Sequence, residues 1–267
     1  MPCQSAVQDP LVAPERSGVL REGLLWAAAV LLLIGPPAQR PSPTALAPAP
    51  IAPVAGAVAA SPVQPTPKPP PAPLLAQFGS EVASADAQQI ARWAFHSGDH
   101  QQRAVVVVDK KAAKVYVFDQ GGRLQGAAPA LLGSAIGDHT VPGIGDKPLA
   151  QVLPAERTTP AGRFIAEPGL NANGEDVVWV DYDAAVSMHR VRANVKAERR
   201  LERLASKSAK DNRISFGCIN LPVSFYEKVL SPAVRRTGAV VYVLPETQPA
   251  APLFGAYDVP NAARGRP

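Results

Sequence analysis

The sequence predicts a mainly β fold, a β-sandwich or barrel-like arrangement with a few short helices. Short apolar runs, either valine-rich or alternating with polar residues, recur along the chain from residue 104 onward. Turn signals such as residues 120–122 (Gln-Gly-Gly) and 173–174 (Asn-Gly) separate these runs. Many short strands divided by turns are typical of sandwiches and barrels.

The first 35 residues are predicted to be a signal or anchor segment. Residues 24–34 form an apolar run that is short for a membrane span but has the length of a signal-peptide core. We therefore expect export. Cleavage of the segment and its retention as a short membrane anchor both remain open, and a buried core helix is the less favoured interpretation.

Residues 36–77 are predicted to be a disordered Pro/Ala-rich linker. Fourteen of the chain's 30 prolines lie between Pro36 and Pro73, where there are no aromatic residues and only Arg40 and Lys68 are charged. Such a segment cannot bury enough apolar surface to fold, so an extended spacer is expected. A packing helix follows in residues 78–102, with helical spacing from Ser84 to Phe95 and Ser84 or Asp86 as its N-cap.

A single folded domain is predicted for residues 103–246, followed by a flexible tail at residues 247–267. Its first strand is the continuous valine run at 104–109, which has the pattern of a strand buried on both faces. A short helix is expected at 224–230. The other predicted strands are 114–119, 163–167, 177–181, 186–189, 214–221 and 239–244.

Two connecting segments allow a functional and a plain interpretation. The Gly/Pro-rich loop at 137–154, which contains His139, is either a substrate lid or an ordinary surface loop. Residues 190–213 contain nine basic and three acidic residues. There the sequence predicts a helix from Asn194 to about Ser206, with Leu201 and Leu204 inward and Arg200 outward. A solvated helix face is favoured over a carboxylate- or glycan-binding face.

Composition excludes few classes of function. The net charge of +5 and pI of about 9.4 suit contact with an anionic surface, but no nucleic-acid-binding module is present, and we expect no nucleic-acid partner. The two cysteines, Cys3 and Cys218, imply no disulfide framework. His139 does not cluster with other ligands, and His96 and His100 have only Asp99 as a partner at metal-ligand spacing, so neither a metal nor a cofactor is expected.

The stretch at residues 213–222 (Arg-Ile-Ser-Phe-Gly-Cys-Ile-Asn-Leu-Pro) carries the chemistry that the sequence predicts. A nucleophilic thiol needs a base, access, and donors for the oxyanion it creates. Gly217 allows a sharp turn in front of Cys218, and His189, at the end of an upstream strand, is the candidate base. A lone cysteine is often a small buried hydrophobe, but flanking Gly217 and Asn220 disfavour that alternative.

These residues resemble the signature of the L,D-transpeptidase catalytic domain, a family of bacterial peptidoglycan-remodelling cysteine enzymes. The matching residues are His189 and the run 215–220 (Ser-Phe-Gly-Cys-Ile-Asn). A second block, Gly133 to Gly137 followed by 159–164 (Thr-Pro-Ala-Gly-Arg-Phe), resembles the family's conserved Gly and Thr-Pro-x-Gly-x-Phe segments. The resemblance covers about residues 103–245 and implies the family's β-sandwich-like fold. Phe216 stands where the family has a second histidine, and the spacer between His189 and Cys218 is long.

The resemblance implies a role for each matching residue. Cys218 would be the nucleophile and His189 its base, with backbone N–H groups of Phe216 and Gly217 on the oxyanion side. Residues expected to bind substrate or fix the loop are Ser215, Asn220 and Arg213, and Ser187 and Tyr182 are weaker candidates. The substrate would be peptidoglycan stem peptides, with a second stem or a protein amine as acceptor. The location would be the periplasm or cell envelope, with residues 24–34 as a candidate inner-membrane anchor.

Two other functions stay open at this point. One is an L,D-carboxypeptidase or crosslink hydrolase, in which water replaces the amine acceptor. The other is a non-catalytic cell-wall binding or scaffold domain, which would need neither Cys218 nor His189. A cysteine peptidase of another family would leave the block at 159–164 without a role.

Overall fold

The structure is a computed structural model and describes residues 73–260. The predictions for residues 24–34 and for the linker up to residue 72 therefore lie outside the described residues. Within the described part, the end of the predicted linker already belongs to the domain, because Gln77 bridges to Arg123. No helix in residues 73–260 has the length and apolar character that crossing a membrane requires.

The fold is mainly β, as the sequence predicts. Eight strands form one sheet in the order β3-β2-β1-β10-β5-β6-β7-β9, and β4 pairs separately with β8. The strands are β1 Ala104–Asp109, β2 Lys114–Phe118, β3 Leu124–Pro129, β4 Leu132–Gly133, β5 Gly162–Leu170, β6 Asp176–Asp181, β7 Val186–Arg190, β8 Arg213–Ser215, β9 Ile219–Leu221 and β10 Ala239–Val243.

The sheet is nearly closed. Leu131, just after β3 at one edge, exchanges two backbone hydrogen bonds of 2.9 Å with Asn220 on β9 at the other edge. Paired edges leave fewer unsatisfied backbone groups at the sheet boundary. The residues around Cys218 consequently lie at the seam of the sheet.

The valine run of β1 is buried on both faces, which confirms the prediction. Val106 and Val108 belong to the larger apolar cluster, which also contains Met188 and Ile219. Val105 and Val107 belong to a second cluster on the opposite face of the sheet. This alternation follows from the two-residue period of a strand.

Helices cover both faces of the sheet. They are α1 Ala85–His96, α2 Arg200–Ala205, α3 Val223–Phe225, α4 Ser231–Thr237 and α5 Ala250–Phe254. The Ser84 side chain accepts a hydrogen bond from Ala87 N and caps α1, as predicted. Helix α1 packs in the second cluster, whereas Phe225 and Val234 pack in the larger one. A π-turn at Tyr226–Leu230 joins α3 to α4, so the helix predicted at 224–230 continues to Thr237.

The segment between β7 and β8 differs from the sequence prediction. Instead of one helix from Asn194, a short 3-10 turn at Lys196–Glu198 precedes α2, and Arg199 between them has φ +50°. This left-handed residue interrupts the helical periodicity. As a result Arg200, predicted to face solvent, is 6% exposed, while Leu201, predicted to face inward, is 57% exposed.

Three further segments also differ. The strand predicted at 214–221 is divided into β8 and β9 by a turn whose Gly217 has φ +137°. The part of the predicted tail that the structure describes contains α5, and Ala250 is buried in the second cluster. Strand β3 was not predicted, because its sequence Leu-Gln-Gly-Ala-Ala-Pro lacks β-branched residues.

Candidate active site

The candidate catalytic residues lie on neighbouring strands. Strands β7 and β9 are parallel, with His189 opposite Asn220. Cys218 directly precedes β9, and its Sγ lies 3.9 Å from Ser187 Oγ and 3.6 Å from the Ala185 carbonyl oxygen. Because alternate residues of a strand share a face, Ser187 and His189 point to the same side of β7. The sheet register thus brings His189 and Cys218 to one cleft.

Gly217 sets the turn that presents Cys218. Its φ of +137° is unfavourable for any residue with a side chain, and an added Cβ would come within 2.8 Å of the Thr158 carbonyl oxygen. Ser215 stabilises the same turn, because its Oγ donates to Cys218 O at 2.6 Å and accepts from Gly217 N at 3.1 Å. Ser215 therefore fixes the loop, one of the two roles expected for it.

The two sequence blocks that carry the family resemblance are joined by Thr159. Its hydroxyl donates to Gly217 O at 2.8 Å and accepts from Gly133 N at 2.9 Å. Thr159 is fully buried. One side chain thus connects the turn before Cys218 to both parts of the upstream block.

The oxyanion donors expected at Phe216 and Gly217 are not both directed at the cleft. The N–H of Gly217 points to Ser215 Oγ. In this conformation, the candidate donors that remain are the N–H groups of Phe216 and Cys218.

His189 is neutral at physiological pH and has a defined tautomer. The pKa of its imidazole is lowered to about 4 by three effects together, of which burial is the largest. The hydrogen bond to the Arg190 carbonyl raises the pKa, and the Arg200 cation lowers it further. Nδ1 lies 2.8 Å from the Arg190 carbonyl oxygen, which can only accept, so Nδ1 carries the proton. The Nε2 lone pair is consequently the basic atom.

Arg200 and Asn220 form a buried polar pair beside His189. Arg200 Nη1 donates to Asn220 Oδ1 at 2.6 Å, and Arg200 Nε donates to Glu198 Oε2 at 2.5 Å. Asn220 Nδ2 in turn donates to Cys218 O at 3.3 Å. Asn220 therefore connects α2 to the backbone of Cys218.

Phe216 forms part of the cleft wall. The Arg157 guanidinium lies over its ring, 4.1 Å from the ring centroid. This stacking holds the aromatic ring in place. A phenyl ring carries no titratable group, so Phe216 contributes shape and apolar surface to the cleft and no proton transfer.

The cleft encloses about 580 Å³, part of it open to solvent. The loop at 137–154 covers it with Ile144, Lys147, Leu149 and Val152, so the loop forms the roof of the candidate site. The residues that line the cleft are Ile144, Gly145, Lys147, Leu149, Val152, Ala184, Ala185, His189, Arg200, Ser215, Phe216, Cys218 and Asn220.

Two predicted site residues lie elsewhere. Arg213 forms an ion pair with Glu246, donates to the Lys110 carbonyl oxygen at 2.9 Å, and does not line the cleft. Tyr182 is exposed and packs edge-to-face against Trp179. In the described residues Arg213 thus stabilises the framework behind the site.

Behind the cleft, Lys110 lies at the centre of a buried ionic cluster. Its Nζ donates to Gly137 O at 2.6 Å, to Asp138 Oδ1 at 2.8 Å and to Thr159 O at 2.9 Å. Glu246 Oε1 lies 3.5 Å from the same nitrogen. Burial raises the pKa of the Asp138 carboxyl, but its hydrogen bonds, with Lys110 foremost, hold that pKa well below the usual range.

Sequence reasoning missed Arg200 and Thr159 as parts of the site. Arg200 was assigned to a solvated face because it belongs to a charge run, and no residue type signals the left-handed Arg199 that turns it inward. Thr159 was noted only within its sequence block. In residues 73–260 no group of three or more His, Cys, Asp and Glu side chains could hold a metal ion.

Comparison with known proteins gave likenesses in structure alone. No family model matches the sequence, and no curated protein matches it. Among solved structures, the helical cell shape determining protein of Campylobacter jejuni is 15% identical, with 55% of this chain and 49% of that chain covered and a TM-score of 0.37.

Two further matches are L,D-transpeptidases. The catalytic domain of the Enterococcus faecium enzyme is 16% identical over 54% of this chain and 98% of that domain, with a TM-score of 0.31. The Mycobacterium smegmatis enzyme is 19% identical over 53% of this chain and 58% of that chain, with a TM-score of 0.30. Apart from the isolated domain, the chain spans about half the length of these relatives. Likenesses this distant assign no activity.

Proposed function

We propose that this protein is a peptidoglycan L,D-transpeptidase that transfers acyl groups through a thioester on Cys218. The observation that carries the proposal is the cleft that both Cys218 and a neutral His189 line, with Nε2 as the basic atom of His189. Once Cys218 is reduced to a thiol, a neutral imidazole in the same cleft can accept its proton and activate it for nucleophilic acyl transfer. The motif resemblance in both sequence blocks supports the same reaction.

The first half-reaction forms the thioester. His189 Nε2 accepts the proton of the Cys218 thiol, and the thiolate attacks the carbonyl of the L-centred residue in a tetrapeptide stem. Backbone N–H groups around Cys218 stabilise the tetrahedral oxyanion. As the intermediate collapses, the C–N bond breaks, and the terminal D-amino acid leaves with the proton from the imidazolium.

The second half-reaction restores the thiol. An amine of another stem, or of a protein, loses a proton to His189 and attacks the thioester carbonyl. The C–S bond breaks, an amide forms, and the thiolate takes the proton back. If water takes the place of the amine, the same residues hydrolyse the stem, which is the alternative of a carboxypeptidase or crosslink hydrolase.

Trapping the acyl-enzyme tests the proposal. The full chain, reduced so that Cys218 is a thiol, is mixed with a tetrapeptide stem and separately with a carbapenem, and intact mass is measured. We expect one covalent adduct that is absent in Cys218→Ala and retained in Cys3→Ser, the matched control for the other cysteine. His189→Ala should label at least about 100-fold more slowly.

Two results would contradict parts of the proposal. Undiminished labelling in His189→Ala would remove His189 from the base role. No adduct with either reagent, from a folded protein, would favour the non-catalytic wall-binding domain. Product analysis with an added amine then separates transfer from hydrolysis, because only transfer gives an amide-linked product.

We also propose that the protein acts outside the inner membrane, because its proposed substrate lies there. The apolar run at 24–34 would supply either the signal core or a retained anchor. Cell fractionation with N-terminal sequencing of the mature protein distinguishes the two. A cytoplasmic protein with an intact N-terminus would contradict export.

A further inference from the structure

Among residues 73–260, the side chains that line the cleft around Cys218 include cationic but no acidic ones. Its titratable lining residues other than Cys218 are Lys147, His189 and Arg200. Lys147 has fewer unused donors, because its Nζ already donates to both carboxylate oxygens of Glu156, at 2.9 and 2.6 Å, with two of its three N–H groups. His189 is neutral at physiological pH. Arg200 is therefore the lining cation with the most capacity to bind an anion.

Arg200 has donors to spare. A guanidinium carries five N–H groups, and the acceptors recorded for it in the described part of the chain are Glu198, on Nε, and Asn220, on Nη1. Glu198 does not line the cleft. The Nη2 end of the guanidinium is thus available to donate hydrogen bonds to a ligand. The Arg200 side chain lines the cleft and is 6% exposed.

We propose that Arg200 binds a carboxylate of the ligand that occupies this cleft. Its substrates are then peptides with a free carboxylate close to the carbonyl that Cys218 attacks, such as the C-terminal carboxylate of the leaving residue. The statement that such peptides are acyl donors rests on the proposed function. A carboxylate suits one planar guanidinium, whereas a phosphate usually meets several donors at once.

The neighbourhood of Arg200 fits a peptide terminus. Ile144, Leu149 and Val152 of the loop give the cleft an apolar roof, and the terminal residue of a peptide presents a side chain beside its carboxylate. Asn220 fixes one nitrogen of the guanidinium, which reduces the entropy lost when a ligand binds. The alternative is a purely structural arginine that only orients Asn220.

A pair of alkylating reagents separates these two roles. Iodoacetate and iodoacetamide both form a C–S bond with loss of iodide, and they differ in that only iodoacetate carries a carboxylate. The rate of each at Cys218 is measured by peptide mass spectrometry on the reduced full chain. Because both reagents require the same thiolate, the ratio of the two rates cancels changes in thiol pKa and general loss of site geometry.

We expect the iodoacetate-to-iodoacetamide ratio to fall about tenfold in Arg200→Gln and to be largely kept in Arg200→Lys, which retains the charge. Arg199→Gln is the matched control, since that neighbouring side chain is 71% exposed and lies outside the cleft lining. An unchanged ratio in a folded Arg200→Gln would overturn the proposal.

Wild-type protein alone provides a second measurement, in case Arg200→Gln does not fold. N-acetyl-D-alanine should slow alkylation of Cys218 by iodoacetamide, whereas its carboxamide, at the same concentration, should not. Equal protection by both compounds would overturn the proposal.

Tetrapeptide stems ending in a carboxylate or a carboxamide then separate this inference from the proposed function. Faster acylation by the carboxylate form, lost in Arg200→Gln, supports both. Equal acylation by both forms, with equal alkylation ratios, overturns the carboxylate site and leaves acyl transfer standing. Carboxylate-selective alkylation without acylation by either stem supports the carboxylate site and overturns acyl transfer.

Discussion

Lys110 and Arg200 are both buried cations, yet their surroundings differ. All three N–H groups of the Lys110 ammonium have acceptors, and two carboxylates lie within 3.5 Å of it. Among residues 73–260, Arg200 has one carboxylate partner, at Glu198, and donors without an acceptor, and its side chain lines the cleft. A fully satisfied cation stabilises the fold, whereas one with unused donors can bind a ligand. The predictions below test this distinction.

The largest expected effect comes from Lys110→Met. The substitution leaves Asp138 and Glu246 buried without their shared cation, so we expect unfolding to become about 3–5 kcal/mol easier. Urea denaturation measures the free energy of unfolding. Lys111→Met is the matched control, because that side chain is half exposed and its ion pair with Asp86 lies at the surface. Similar losses in both variants would mean that burial does not distinguish the two lysines.

The pH dependence of stability distinguishes the cleft, which contains His189, from the Lys110 cluster, which contains Asp138. The pKa of His189 is about 4 in the folded protein and about 6.5 in the unfolded chain. Below pH 6.5 the unfolded chain therefore binds the extra proton first, and stability present above pH 6.5 falls by up to about 3 kcal/mol toward pH 4. Asp138, with a lowered pKa, stabilises the fold above about pH 4, and this contribution is lost below that pH.

The measurement is urea denaturation of wild type and His189→Asn between pH 3 and 8. We expect the difference between the two proteins to change from pH 6.5 to 4 and then to stay constant. A difference that is independent of pH would mean that His189 is not buried as a neutral base.

Gly217→Ala is expected to cost about 1–3 kcal/mol of stability and to abolish most labelling of Cys218. The new Cβ would meet the Thr158 carbonyl oxygen at 2.8 Å, in a backbone conformation that alanine rarely adopts. Gly174→Ala is the control, because its φ is +75° but no atom lies within 4 Å of the added Cβ. Thermal unfolding and adduct mass measure the two effects, and full labelling in Gly217→Ala would contradict them.

Arg200→Gln is expected to have the smallest effect on stability, about 1–2 kcal/mol, because it removes two charge-assisted hydrogen bonds but leaves only one carboxylate, the partly exposed Glu198, without its cation. Its effect on carboxylate selectivity should nevertheless be large. If Arg200→Gln destabilised the protein as much as Lys110→Met, the contrast between the two cations would be lost.

The strands were predictable where burial dictates composition. The valine run of β1 and the alternation of β2 follow directly from contact with apolar surface on both faces. Strand β3, with Gly126 and two alanines, has no such signature, because its pairing with β2 depends on backbone hydrogen bonds that any residue makes.

The candidate site was predictable in its residues but not in its geometry. Gly217 and Cys218 could be identified because few residue types allow that turn and that chemistry. The position of Arg200 could not, since it depends on one left-handed residue in a charge run that is otherwise typical of solvated surface. Arg213, in contrast, was predicted to belong to the site but forms an ion pair outside it. Its partner Glu246 is distant in sequence, so the sequence did not reveal the pair.

The loop over the cleft is held at both ends by the same ammonium group, because Lys110 Nζ binds Gly137 O at its start and Thr159 O beyond its end. The exposed residues 141–143 within this loop can vary in length and composition while the strands stay in place, since loop length changes closure entropy only slowly. Asp138 cannot vary in this way, because it is the buried partner of Lys110. Changes in residues 141–143, in evolution or in a library of exchanged loops, therefore have little effect on the folding of the sheet. Loops with different sequences can then be compared for ligand binding on the same sheet, without further stabilising substitutions.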